Sequence, residues 1–123
     1  MDFTRCIRLS RYYYGVAERP TPVLCQELGE ADALLRQLVT LPLTDYQRDA
    51  LVCLLSDSMW GYAYMRQPFQ KSYLLTVLNK GMMQIAAAEM YNFCMADNRV
   101  DMRAIGKRRC EQHLFVTGQL LFS

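Results

Sequence analysis

Histidine is nearly missing from this chain: His113 is the only one in 123 residues. Common metal centres need several His, Cys or carboxylate side chains at ligand spacing. Neither His-Glu-x-x-His nor the helical Glu-x-x-His pair occurs. No metal site and no cofactor are expected. Glycine-rich loops are missing too. Gly15, Gly29, Gly61, Gly81, Gly106 and Gly118 stand singly, so no phosphate cradle can form from successive backbone N–H groups. No apolar run approaches the roughly 18 residues that span a bilayer, so no membrane association is expected. The first ten residues interleave arginines with apolar residues and do not read as a secretory signal.

Paired cysteines are also lacking. Cys6, Cys25, Cys53, Cys94 and Cys110 are odd in number and widely spaced, with no C-x-x-C pair. Each has apolar neighbours, as reduced and buried thiols do. The expected location is therefore cytoplasmic. Net charge is only +2, too little to imply nucleic acid by itself.

What is present is core-forming material. Hydrophobic residues make up 52% and charged residues 21%, which excludes a disordered chain. The length fits one domain over 1–123, with 1–20 as a peripheral arm or strand. Arg5, Arg8 and Arg11 form a stripe on a helix. The alternation of Phe3, Arg5, Ile7 and Leu9 also permits a strand. Thr21-Pro22 reads as an N-cap with proline at the first helical position. Leu24, Leu28, Ala31, Leu35 and Leu38 then alternate four- and three-residue steps, a seam that suits a partner helix or a second copy.

Leu41-Pro42 ends that helix, and Thr44-x-x-Gln47 has capping-box form. A helix from Asp45 towards Met65 follows. It is apolar all round over Ala50–Leu55, as a central helix should be. Helices are expected over Phe69–Lys80 and Met82–Ala96, broken at Gly81. Asp101 caps a last helix from Met102 towards Leu114. The fold class is all-α, a compact bundle of about five helices. The alternative is α+β, with a small sheet formed by the two termini.

Three functional readings follow from these residues. The first is a non-enzymatic regulatory or adaptor protein that binds a protein partner through a helical surface, with homodimerisation through the leucine seam allowed. Arg99, Arg103, Lys107, Arg108, Arg109, Arg5, Arg8 and Arg11 are its partner-binding candidates. Tyr12, Tyr13, Trp60 and Tyr62 are interface candidates, because aromatics enrich interfaces. The second reading is a nucleic-acid-binding regulator that grips phosphates with the 99–109 cluster. The third is a thiol enzyme pairing Cys110 with His113, one helical turn apart. Acidic residues in Glu27–Asp32 and Asp45–Asp49 read as solvated helix faces. No catalytic residue is expected.

Overall fold

A computed structural model describes residues 2–13, 20–56, 69–93, 95–96, 99–100 and 102–120. Six helices appear among them: α1 (Thr4–Tyr13), α2 (Thr21–Leu38), α3 (Asp45–Leu55), α4 (Tyr73–Asn79), α5 (Met83–Glu89) and α6 (Met102–Thr117). A 3-10 turn over Met90–Phe93 extends α5. The all-α expectation holds. The one ladder among the described residues is internal and two residues long, β1 (Met95–Ala96) against β2 (Arg99–Val100). Both termini feed helices, so the terminal sheet is overturned. The helical spacing of Cys6, Leu9 and Ser10, all buried, prevails over the strand-like alternation.

Helix α3 is the centre. Every residue from Ala50 to Leu55 is fully buried. The helix packs against α1, α2 and α6, so its Ala50–Leu55 stretch has no side to spare for polar groups. Burying each large aliphatic side chain contributes roughly 1.5–3 kcal/mol. Its start is fixed locally: the Thr44 side chain accepts from Gln47 N at 3.2 Å, and the Gln47 side chain accepts from Thr44 N at 3.0 Å. The capping box is thus present. The helix ends at Leu55 rather than near Met65, and residues 57–68 lie outside the described ones.

The leucine seam of α2 faces inward, with Leu24, Leu28, Ala31 and Leu35 buried. Its start differs from expectation by one residue. Pro20 is the N-cap, and the Thr21 hydroxyl accepts instead from Arg11 Nη2 at 2.7 Å. Asn79 fastens the far end: its Oδ1 accepts from Thr40 N at 2.8 Å, and its Nδ2 donates to Leu38 O at 2.9 Å. Gly81 breaks the chain between α4 and α5 as expected, at φ 75°. Helix α4 begins at Tyr73, later than Phe69, because the Ser72 hydroxyl caps it by accepting from Leu75 N. Helix α6 runs past Leu114 to Thr117. Gly118 then turns back at φ 76°, with the Tyr46 ring 3.1 Å from where a Cβ would stand.

Candidate functional site

The starts of α1 and α3 meet at a buried carboxylate. Asp49 lies one turn into α3 and is 2% exposed. Its Oδ2 accepts from Arg5 Nη1 at 2.8 Å and its Oδ1 from Arg48 Nη2 at 3.2 Å. The Cys6 thiol donates to its backbone oxygen at 3.4 Å. Asp49 attracts both guanidinium groups because burial weakens solvent screening there. Arg5 is held more firmly protonated, mainly by its hydrogen bond to Asp49. Asp2, Thr4 and Asp45 complete the wall of a concavity of about 300 Å³ around this network. The Thr4 hydroxyl and amide both donate to Asp2 Oδ1. These bonds, the hydroxyl first, lower the Asp2 carboxyl below its ordinary range, and Arg5 adds to the effect.

Arg48 is shared with a second concavity of about 220 Å³, lined by Leu35, Arg36, Val39, Leu41 and Leu43 as well. Together the two hollows offer fixed donors, fixed acceptors and an aliphatic wall. That suits a polar ligand with an apolar side. Asp49 is not a proton donor there, because both of its carboxylate oxygens accept from guanidinium groups.

The solvated-face reading of Asp45–Asp49 holds for Asp45, which is exposed, and fails for Asp49. Asp32 is likewise buried, with its Oδ2 on Arg36 Nε at 3.0 Å. Asp49 and Arg48 were missed because the D-x-x-x-D spacing looks the same on a wet face and a dry one. The only available signal was adjacency to the fully apolar stretch after Asp49.

The candidate arginines do not form one surface. Arg8 and Arg109 are exposed, and Arg5 and Arg11 are engaged as described. Lys107 is 7% exposed and Arg108 is 0% exposed. Arg108 donates through Nη2 to Glu111 Oε2 at 3.0 Å and through Nη1 to Phe93 O at 3.0 Å. It belongs to the core, so the run 99–109 is not a continuous basic face. Arg99 sits on β2 and Arg103 on α6, with side chains outside the description. The same holds for Tyr12 and Tyr13 at the end of α1. Trp60 and Tyr62 lie outside the described residues.

Cys110 is fully buried, which removes the access a thiol nucleophile with His113 would need. No group of three or more candidate metal ligands occurs among the described residues. The Cys53 thiol is pushed well above its ordinary 9.0, first by its hydrogen bond with Cys6 and then by burial. The unfolded chain then releases this proton at lower pH than the native one. Stability from this group is complete below pH 9.0 and is lost as pH rises above it. Urea denaturation between pH 7 and 11 should show a decline of up to roughly 1 kcal/mol per pH unit above that point. Cys53→Ala should flatten it, and an unchanged slope would contradict the assignment.

The sequence matches the family model described as Phage lysozyme over residues 12–112. Among solved structures it is similar to the muramidase domain of SpmX from Asticaccaulis excentricus, at 28% identity and a TM-score of 0.65. That alignment covers 76% of this chain and 63% of the other, so the chain spans under two-thirds of that domain's length. No curated protein matches. The family match contradicts both the adaptor and the nucleic-acid readings, and with them the expectation of a chain without enzymatic function.

Proposed function

The chain belongs to the phage lysozyme family, and from that membership we propose that it is a muramidase, a glycoside hydrolase acting on the glycan strands of peptidoglycan. The observation that carries this reading is the family match across residues 12–112, supported by the likeness to a muramidase domain. Its ligand is then a polymer of sugar hydroxyls, N-acyl groups and peptide carboxylates. The two hollows around Arg48 have complementary donors, acceptors and apolar wall.

Glycoside hydrolysis needs a carboxylic acid to protonate the leaving oxygen and a second carboxylate beside the bond. A guanidinium neighbour favours the ionised form and works against the first role. This excludes Asp49, Asp32 and Glu111, each ion-paired with arginine, and Asp2, whose carboxyl is lowered. Glu18, Glu27, Glu30, Asp45, Asp57, Glu89, Asp97 and Asp101 remain inside the matched span, and the first to test are Glu18 and Asp57, outside the described residues, together with exposed Asp45.

The test is release of reducing ends from purified peptidoglycan. Wild type should release them, and Glu18→Gln, Asp57→Asn or Asp45→Asn should suppress release by about two orders of magnitude or more, as loss of a general acid does. A wild-type chain that pellets with peptidoglycan and releases nothing overturns the hydrolase reading. The expected cytoplasmic location stands as a proposal for the chain before it meets that substrate. Among the described residues no helix is long and apolar enough to cross a membrane.

A further inference from the structure

We propose that Cys6 and Cys53 form an oxidation site, a thiol pair that a small-molecule disulfide such as glutathione disulfide converts into a cross-link between α1 and α3. The proposal stands on the geometry of the pair and not on the muramidase reading. Cys6 lies on the inner side of α1, with Phe3 one turn before it and Leu9 one turn after it in the same cluster. Its thiol donates to Asp49 O at 3.4 Å. Asp49 stands one helical turn before Cys53 on α3, and side chains four apart lie one above the other. The two thiols therefore meet across the α1–α3 contact and share a hydrogen bond. Both are fully buried. Arg5 fixes the register of the two helices by donating to Asp49 Oδ2 at 2.8 Å.

A disulfide between them costs little elsewhere. The Asp49 carbonyl loses the Cys6 thiol but keeps the Cys53 amide, its partner along α3. The closed chain is slow to react, because the thiolate is the attacking form and the Cys53 thiol is held protonated by its hydrogen bond and by burial. Reaction proceeds when α1 lifts from α3 and uncovers Cys6. Cys6 gives its proton to solvent, and its thiolate attacks one sulfur of glutathione disulfide. The first glutathione leaves as a thiolate and takes up a proton. As α1 returns, Cys53 loses its proton to solvent and attacks the Cys6 sulfur, expelling the second glutathione. Two cysteine thiols are oxidised, and one disulfide is reduced to two thiols. The loop so closed, from position 6 to position 53, is long, and cross-links over long loops restrict the unfolded chain most.

The test incubates the full chain with glutathione disulfide, in buffer and in urea below the unfolding midpoint, and maps bridges by peptide mass spectrometry without reduction. The main bridge should be Cys6–Cys53, formed faster in urea, which promotes the opening of α1. Urea denaturation of the bridged chain, with and without reductant, reads the effect on the fold. The folded-to-unfolded equilibrium constant should rise about thirtyfold or more on bridging, the lower end of what such a cross-link gives. Cys110→Ala should form the same bridge, and Cys6→Ala should not. The readout is the bridge itself, so loss of the hydrolase reading leaves it untouched. No bridge in the wild-type chain, a different main pairing, or a bridged chain no more stable than the reduced one overturns the proposal.

Discussion

Replacing Arg108 with methionine is expected to destabilise the chain by about 3–5 kcal/mol, the cost of stranding a buried ionic partner. Arg108 and Glu111 are both 0% exposed. The substitution leaves the Glu111 carboxylate without its ion-pair partner and the Phe93 carbonyl without its donor. Total stability of such a domain is about 5–15 kcal/mol, so a large share disappears. The double change Arg108→Met with Glu111→Leu should recover most of the loss, because the charges vanish together. Urea denaturation of both variants measures this. A single variant within about 1 kcal/mol of wild type would show that the pair carries little. A double variant no better than the single would place the cost in packing or at the Phe93 carbonyl.

The second large effect is expected at Phe69. Its ring is fully buried in the main cluster, just before α4, while its carbonyl accepts from the Ser72 amide at 3.1 Å and hydroxyl at 2.7 Å. The residue thus fixes the entry into α4 twice, through ring and backbone. Phe69→Ala should cost about 3–5 kcal/mol through lost transfer energy and the cavity left behind. Phe69→Leu keeps most of the volume and should cost distinctly less. Thermal unfolding of the two separates a packing role from a role of the backbone turn, which both variants preserve. Equal losses would contradict the packing account.

Local rules read well wherever the residue and its partner are neighbours in sequence. The Thr44–Gln47 capping box, the break at Gly81 and the inward seam of α2 are of this kind. So is the burial of α3, because a stretch apolar on every face has only one stable place. The reading failed where the partner lies far along the chain. Arg5 meets Asp49, and Arg108 reaches back to Phe93. Both arginines looked like surface charge, since no local pattern marks a basic side chain whose acceptor is buried. Function was illegible for a related reason. Guanidinium groups hold the described buried carboxylates, and Glu18 and Asp57 stand in no motif that spacing alone would pick out. The family match and the likeness to one muramidase domain support the proposed function, which periodicity could not reach.

The position of α3 has a consequence for synthesis. One of its sides packs on α6, which brings Cys110, Leu114 and Phe115 into the core from more than fifty residues downstream. Until residues 102–117 are made, the apolar Ala50–Leu55 stretch lacks the native partner that α6 supplies on that side. The nascent chain must therefore wait, in a form that chaperones would hold, until the last turn of α6 leaves the exit tunnel.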